Sequence, residues 1–530
     1  MKSGRKLLSI MAWGVLVAVY VLMVGIFAAY GSHNLNADDS SEMVYAAQMN
    51  EEGSLHTENW LYSTELRVVS PVQLYQLGLK IFPDNWSAAR AFAQALSMLG
   101  IAACVLLFAR ILGLGMHAPL LATAFLLPFS FDYMYIMLFG CHYAVHLMIS
   151  LIVLCLVMRF GGRTVRHAGA SLALLVFLGL WSGLSGLRML TMLVAPLCAA
   201  SVILALLACR NHACAAEAAQ DPAVRMAGAA LLNTLAAAVG YVLNVKVFGP
   251  HFSYPTYSDL QMGRLNVLDF ANQLNGIIRT FGYRDQVPLF SIRGIGCWVA
   301  LLIVLMLFTA LARMFIRRRE ISAQHSLLAM TATVAIVLGM MLNVFLGQIL
   351  VRYFIVGTLL LVTVLFVAMK TEPCRNKLLH MAAPWFVIGC LAFVSVPTLL
   401  YDWNLGRVNY EMAADWLVEH GYTQGYATFW NANTIVEASD GRIEMWVLAD
   451  SKRAGGQETW TDMKMQYMLQ NKSHLTQDPE GKVFLLVDEE EYAMGSPLLN
   501  EDHLVDMIAW SYYVYEYDSV QQMRALLKAE

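Results

Sequence analysis

The chain has 530 residues, of which 58% are hydrophobic and 14% are charged, and its mean hydropathy is +0.55. Soluble domains carry about 25% charged residues, so a single soluble core of this size is excluded. The net charge of -3 gives no electrostatic basis for binding nucleic acid. The nine cysteines are an odd number without a CxxC pair, so we expect small apolar residues of membrane helices rather than disulfides.

About eleven apolar segments predict an all-α, multi-pass membrane protein. The first, from about 7 to 30, follows Lys2, Arg5 and Lys6 and is long enough, at more than about 20 residues, to span a bilayer. Because many further segments follow, we expect a retained helix rather than a cleaved signal peptide. The other segments lie near 92–109, 118–130, 136–158, 168–184, 189–209, 226–248, 295–315, 326–347, 352–369 and 380–400.

Lysine and arginine residues fall on alternate connections between these segments. Those connections share a side with the basic N-terminus, which is the positive-inside pattern. We therefore predict a plasma-membrane protein with a cytoplasmic N-terminus, and we place the 31–91 loop, the 249–294 loop and everything after Tyr401 outside. The basic residues of the predicted cytoplasmic connections are Arg110, Arg159, Arg163, Arg166, Arg210, Arg225, Arg313, Arg317, Arg318, Arg319, Lys370, Arg375 and Lys377.

The composition changes after about residue 401. Residues 402–530 predict a small extracytoplasmic α/β domain, which follows a membrane domain of residues 1–401. A helix over Glu411–His420 is closed by Gly421, a residue suited to a left-handed cap. Alternating helices and strands are typical of an α/β unit. The remaining elements are predicted over Gly425–Trp430, Arg442–Leu448 and Lys482–Val487 as strands and over Ser519–Lys528 as a helix.

The first external loop, 31–91, is long, polar and acidic near its start. If a helix has begun there, spacings of three and four place Asp38 or Asp39 on the same face as Glu42. A carboxylate at a partly dry surface can act as general base on a sugar or lipid hydroxyl. A carboxylate cluster can also hold a divalent cation. The alternative is a solvated acidic loop, or caps of a helix that begins near Ser41.

Asp132 and His142 lie near the third and fourth predicted spans. An ionisable side chain within a membrane span is costly without a partner, so this region is a candidate for a second functional position. His142 and His146 are four residues apart, and on a helix they would share a face and could together bind a metal. The alternative for these side chains is packing with a hydrogen bond between helices.

Arg188 lies at the predicted outer end of a hairpin, against the positive-inside pattern. A lipid phosphate is one anion that could hold it there, because guanidinium binds phosphate through two parallel hydrogen bonds. A salt bridge to a loop carboxylate, or snorkelling to lipid headgroups, is the alternative.

The 249–294 loop and the tenth span carry further external arginines. The loop interleaves aromatic residues with Arg279, Arg284 and Arg293, a mixture that suits a sugar phosphate or an ordinary interfacial belt. Arg352 and Tyr353 open the tenth span at its outer end, where spacing alone predicts a headgroup anchor.

The first loop carries an ordered series of motifs. An acidic pair after the first helix is followed by Tyr-Ala, a Met, a Gly-containing turn, a Pro-containing segment with Leu-Tyr, and an Arg at the start of the second predicted span. These residues are Asp38-Asp39, Tyr45-Ala46, Met49, Gly53, Ser70-Pro71-Val72-Gln73-Leu74-Tyr75 and Arg90. In this order the loop resembles the first external loop of the membrane-embedded GT-C glycosyltransferases, in particular relatives of protein O-mannosyltransferase and the lipid A aminoarabinose transferase.

The resemblance implies transfer of a sugar from a polyprenyl-phosphate carrier to a glycan, lipid or protein acceptor outside the cell. The first-loop acid, Asp39 or Asp38, would act as base, although Glu42 has the closer spacing to Tyr45. Many members place a second acidic residue where His142 or Asp132 stands here, and Arg-Tyr, here Arg352-Tyr353, is associated with the carrier phosphate. The alternatives are a lipid or solute transporter and a polysaccharide polymerase or ligase.

Overall fold

The computed structural model describes residues 2–63, 66–68, 70–162, 167–212, 214–254, 267–346, 351–371, 377–449 and 460–528. Arg163, Arg166 and Arg375 of the predicted cytoplasmic connections lie outside these residues. The described helices of the first 401 residues are α1 Lys2–Tyr30, α2 Ala37–Glu51, α3 Val72–Ile81, α4 Trp86–Ile111, α5 Ala118–Leu126, α6 Phe131–Tyr133, α7 Ala144–Arg159, α8 Ala168–Leu184, α9 Leu187–Met189, α10 Ala195–Cys209, α11 Ala215–Gln220, α12 Pro222–Leu243, α13 Val267–Thr280, α14 Gly294–Ile316, α15 Ala323–Leu346, α16 Ile355–Thr371 and α17 Lys377–Pro397.

Seven described helices are long and apolar enough to cross a membrane. An eighth span results if Gly115–Leu126 and Phe131–Phe139, which meet at 97°, form one broken crossing. Three shorter apolar helices, α7, α8 and α16, stand where further crossings are expected. A multi-pass membrane architecture is therefore confirmed, whereas the count of eleven and the orientation of the termini stay predictions.

The first loop folds into helices rather than a solvated coil. Helix α2 begins at Ala37, one turn earlier than the start predicted near Ser41, because the side chain of Asn36 accepts a hydrogen bond from the backbone N–H of Asp39 at 3.0 Å. Two acidic residues in its first turn complement the helix dipole. Helix α3 follows, and a two-residue strand, β1 (Trp60–Leu61), lies between α2 and α3.

The C-terminal region, residues 409–528, contains the α/β elements expected from its sequence. Its sheet has the order β3-β2-β5-β7-β6. Strands β3, β2 and β5 are parallel to one another, β7 is antiparallel to β5, and β6 is antiparallel to β7. Strands β3 and β5 are short apolar runs, as is typical of parallel strands whose sheet is covered on both faces. The elements are α18 Asn409–Glu419, β2 Gln424–Thr428, α19 Phe429–Ala438, β3 Glu444–Leu448, β4 Gln470–Asn471, β5 Val483–Asp488, α20 Glu489–Met494, β6 Leu504–Ile508, β7 Tyr512–Tyr517 and α21 Val520–Lys528.

The two faces of this sheet bury different partners, because successive strand residues point to opposite sides. On one face Leu485 and Tyr515 pack with Met523 of α21. On the other face, Phe484 and Val514 belong to a core that includes first-loop residues. The large first-loop residues of this core include Met43, Tyr45, Trp60, Tyr75 and Trp86. Strand β1 also pairs with β4, so the first loop and the C-terminal region share one core across the boundary predicted at residue 402.

Candidate active site

Helix α2 carries three carboxylates that differ in exposure. Asp39 is fully buried, Glu42 retains 13% of its side-chain exposure, and Asp38 is exposed. With the helix starting at Ala37, Asp39 and Glu42 are three residues apart and share the inner face, whereas Asp38 is turned outward. The structure therefore separates the two members of the acidic pair.

His142 connects Asp39 and Glu42. Its Nε2 lies 2.8 Å from Asp39 Oδ1, and its Nδ1 lies 3.2 Å from Glu42 Oε1. The prediction that His142 and His146 share a helical face is wrong, because α7 begins only at Ala144 and His142 stands in the preceding turn. This position lets one ring reach two carboxylates at once.

In the turn that carries His142, the side chains of Asp39 and His142 lie close to the backbone of Gly140. A Cβ atom on Gly140 would lie 2.5 Å from Asp39 Oδ1 and 2.8 Å from His142 Nε2, so any other residue there would displace the Asp39–His142 pair. Cys141 follows in the left-handed region at φ 56°. The hydroxyl of Tyr75 donates to the carbonyl of Gly140 at 3.0 Å, which ties the turn to helix α3.

The charge of His142 follows from its two neighbours, in a turn between the apolar helices that end at Phe139 and begin at Ala144, so the predicted 136–158 segment is interrupted there. Burial alone would lower the pKa of the imidazole, since a charged ring loses its hydration. Glu42 and Asp39 outweigh this effect and raise the pKa of His142 to about 10. The ring is therefore an imidazolium at neutral pH, with Nδ1 hydrogen-bonded to Glu42 Oε1 and Nε2 in an ion pair with Asp39 Oδ1.

A cavity of about 50 Å³ opens beside Glu42. It has room for a few water molecules or for a hydroxyl group, since one water needs roughly 10–15 Å³. Arg67, which the sequence analysis overlooked, points Nη1 to within 3.7 Å of Glu42 Oε1. An arginine on a predicted external loop violates the positive-inside pattern, and that signal could have found it. The cavity is lined by Ser41, Glu42, Tyr45, Trp60, Tyr62, Ser63, Arg67, Ser70, Val72 and Leu469.

Arg188 lies against the same region. Its guanidinium stacks over the ring of Tyr143 at 4.5 Å, and Arg188, Arg67 and His142 all lie near enough to His146 to act on its ring electrostatically. The Tyr143 hydroxyl and both ring nitrogens of His146 are buried and have no hydrogen-bond partner among the described residues. Buried polar atoms of this kind normally have a partner, so these groups are available to a ligand. We call Asp39, Glu42, His142, Arg67 and Arg188 the buried cluster.

The remaining predicted arginines stand elsewhere. Arg279 pairs with Asp285 at 3.6 Å, Arg284 pairs with Asp402 at 2.5 Å, and Arg293 stacks over Tyr401 at 5.4 Å. We call these six residues the exposed cluster.

The two other predicted site positions also lie apart from Asp39. Asp132 is close enough to Arg279 and Asp402 to interact with them electrostatically, so it belongs beside the exposed cluster rather than next to His142. Arg352 is exposed, and it stacks on its neighbour Tyr353 at 5.6 Å.

A divalent cation has no ready-made site in the described part of the chain. No group of three or more His, Cys, Asp or Glu side chains there is arranged to hold a metal ion. In the buried cluster, His142 bridges the two carboxylates directly. The divalent cation therefore stays a prediction from the sequence.

Comparison with solved structures gives a match over nearly the whole chain. ArnT from Cupriavidus metallidurans bound to undecaprenyl phosphate aligns with a TM-score of 0.57 and 14% identity, covering 94% of this chain and 97% of that one. The oligosaccharyltransferase of Archaeoglobus fulgidus in complex with Zn and sulfate aligns with a TM-score of 0.52 and 13% identity, covering 92% and 70%.

The same archaeal protein, AglB, in complex with an inhibitory peptide and a dolichol-phosphate aligns with a TM-score of 0.50 and 12% identity, covering 90% and 69%. No protein-family model matches the chain, and no curated protein sequence does. Both solved neighbours have the GT-C architecture, so the resemblance predicted from the first loop is confirmed at the level of the fold.

Proposed function

We propose that this chain is a glycosyltransferase that moves a sugar from a polyprenyl-phosphate carrier to an extracytoplasmic glycan, lipid or protein acceptor. The observation that carries the proposal is the buried cluster: Glu42 and Arg67 line a cavity, and His142 joins Glu42 to Asp39. Arg188 lies beside buried polar atoms that have no hydrogen-bond partner among the described residues. Two solved structures of this fold hold undecaprenyl phosphate and a dolichol-phosphate, which supports a lipid phosphate as the ligand class.

Glu42 is the carboxylate best placed to act as general base. It lines the cavity, and its Oε2 is buried without a hydrogen-bond partner among the described residues. The acceptor hydroxyl would lose its proton to Glu42, its oxygen would bond to the anomeric carbon of the sugar, and the bond from that carbon to the phosphate oxygen would break. Asp39, fully buried, would hold His142 and thereby fix the orientation of Glu42.

Arg188 is the guanidinium best placed for the leaving phosphate. It carries no ion pair among the described residues, and the hydroxyl of Tyr143 and the ring of His146 beside it can complete the hydrogen bonds of a phosphate group. Arg67 adds a second positive charge close to His146. Cations fixed where charge develops in the transition state are commonly the largest catalytic contribution.

The position of the cavity favours this function over transport. Its lining comes from the first loop, 41–72, and from Leu469 of the C-terminal region, whereas a transporter binds its substrate between helices at the middle of the bilayer. Three aromatic residues of the first loop, Tyr45, Trp60 and Tyr62, are part of that lining.

The proposal is tested by incubating the purified full chain with a panel of polyprenyl-phosphate sugars and acceptor extracts. We expect release of free polyprenyl phosphate with at least one donor, and none when the protein is omitted. Absence of carrier release across the panel, from protein shown to be folded and to bind a lipid phosphate, would contradict the proposed reaction while leaving the fold unchanged.

A further inference from the structure

Glu437 of helix α19 reaches from the C-terminal region into the membrane part of the chain. Its carboxylate binds Arg90 of α4 through two contacts, Nε to Oε1 and Nη2 to Oε2, each 2.6 Å long. Only 2% of the Arg90 side chain and 3% of the Glu437 side chain are exposed. A bidentate pair this well buried fixes both partners, because either charge alone would be buried without compensation.

Arg90 is the middle residue of a three-residue stripe along one face of α4. Trp86, Arg90 and Gln94 are four residues apart, so they project in similar directions. The backbone N–H of Trp86 donates to Asp440 Oδ1 at 2.8 Å, a second contact with the C-terminal region. Gln94 donates from Nε2 to the carbonyl of Phe139 at 2.8 Å, just before the turn that carries His142. The stripe therefore touches α19, Asp440 and the residue just before that turn.

The same guanidinium also holds the first turn of α2. Arg90 Nη2 donates to the backbone carbonyl of Asp39 at 3.0 Å, and the guanidinium stacks over the Tyr75 ring at 4.9 Å. The hydroxyl of Tyr75 in turn donates to the carbonyl of Gly140. Arg90 is thus in contact with the backbone of Asp39 and with a residue that holds the His142 turn.

We propose that Glu437 is a positioning residue for sugar transfer, through which the C-terminal region holds the active site in place in addition to lining its cavity with Leu469. By holding Arg90, Glu437 fixes the backbone of Asp39 and, through Tyr75, the turn of His142, so that the imidazolium meets both carboxylates. Small displacements of catalytic groups slow the reaction, so the contact between Arg90 and Glu437 can change the rate although neither side chain touches the reacting atoms. The inference rests on the proposed function for its catalytic consequence, but the mechanical coupling stands independently of it.

Hydrogen exchange in the full chain tests the coupling without any substrate. Glu437→Gln keeps the shape of the side chain and removes its charge. We expect amides of α2 and of the Gly140–Tyr143 turn to exchange faster by about tenfold or more, the factor that corresponds to losing a hydrogen bond to a charged group. Glu516→Gln is the matched control, since Glu516 pairs with Lys482 at 2.7 Å within the C-terminal region. Equal exchange in α2 of both variants would overturn the inference.

Faster exchange in β5 and β7 would show that Glu437→Gln disturbs the C-terminal region itself. In that case a second variant decides the test. Arg90→Lys leaves a cation near Glu437 but removes the donor to the carbonyl of Asp39. We expect the same acceleration in α2 with β5 and β7 unchanged. Unchanged exchange in α2 would contradict the coupling through Arg90.

Carrier release on the same preparations tests the catalytic consequence. With Glu437→Gln we expect turnover to fall about tenfold or more while the KM for the donor changes less than about threefold, and we expect Glu437→Asp to recover part of the loss. A purely structural role would instead lower the amount of folded protein and leave turnover per folded molecule unchanged. If the wild-type chain released no carrier, the proposed function would fail, while the exchange result would still decide the coupling.

Discussion

The buried cluster and the exposed cluster contain the same kinds of charged groups in opposite environments. In the buried cluster, Asp39 is fully inaccessible and Glu42 and His142 keep about an eighth of their exposure (13% and 14%). In the exposed cluster, Arg279 and Asp285 keep 51% and 44%, and Arg284 and Asp402 keep 27% and 32%. The arginines of that cluster are matched by Asp285, Asp402 and the ring of Tyr401. The buried cluster instead retains polar atoms, Asp39 Oδ2 and Glu42 Oε2 among them, that have no hydrogen-bond partner in the described part of the chain.

This difference indicates at which of the two clusters a ligand would gain more binding free energy. Ion pairs on an exposed surface contribute about 0–1 kcal/mol, because water and salt screen them. The same groups act more strongly at a site from which water is excluded, and buried polar atoms without partners leave free energy for a ligand to recover. Composition and position relative to the membrane made both clusters candidates, but burial and existing partners distinguish them.

The largest effect is expected at Glu42. Glu42→Gln preserves the shape of the side chain but cannot take a proton, so turnover should fall by a factor of about 10²–10⁴ while the donor still binds. Glu411→Gln is the matched control, because Glu411 has the same 13% exposure and also faces a histidine, His33 at 3.7 Å. The release of free polyprenyl phosphate at a saturating donor concentration measures the turnover of both variants.

Asp38→Asn and Asp39→Asn refine the same assignment. We expect Asp39→Asn to reduce turnover strongly, since it removes the partner of His142 Nε2, and Asp38→Asn to change it by less than about threefold, because an exposed charge on α2 contributes little. Full activity of Glu42→Gln together with loss in Asp38→Asn would reverse the roles.

Arg188→Ala should weaken donor binding. Losing a hydrogen bond between charged groups corresponds to a rise in Kd of about 10- to 100-fold. Arg284→Ala is the counterpart in the exposed cluster, and there we expect a change below about threefold, since its partner Asp402 is itself exposed to water. Isothermal titration with a polyprenyl phosphate compares the two. A larger loss at Arg284 would move the phosphate site to the exposed cluster.

His142→Gln should change how stability depends on pH. A pKa raised from 6.5 to about 10 means that the folded state gains stability from the imidazolium below about pH 6.5 and loses it as pH rises through 10. The thermal unfolding midpoint of the wild-type chain should therefore fall between pH 7 and 10 more steeply than that of the variant. Parallel curves would show that the ring is not held by the two carboxylates.

The sequence predicted much of this architecture because its signals are local. Apolar runs gave the membrane helices, and Gly421, at φ 79°, ends α18 as its sequence predicts. The predicted strands were also confirmed within one or two residues, as β2, β3 and β5. Helical spacing brought Asp39 and Glu42 together as candidates, although the choice between Asp38 and Asp39 depended on where α2 begins.

Contacts between distant parts of the chain could not be predicted in this way. His142 meets Glu42 across 100 positions, and Glu437 meets Arg90 across 347. Nothing in the local sequence of α19 distinguishes Glu437 from a surface carboxylate. The predicted division at residue 402 rests on composition. Composition contains no information about contacts between distant residues, such as Phe484 and Met43, which share a core. Tertiary packing decides both points.

Covalent mapping of the donor site tests the central claim most directly. A polyprenyl-phosphate sugar with a photoreactive group near the phosphate would be irradiated with the full chain, and labelled peptides would be identified by mass spectrometry. The buried cluster predicts labelling within 37–75 and 140–148 and around Arg188, reduced by unlabelled donor and weakened in Arg188→Ala. Labelling confined to 279–293 and 401–402, and unaffected by Arg188→Ala, would contradict it.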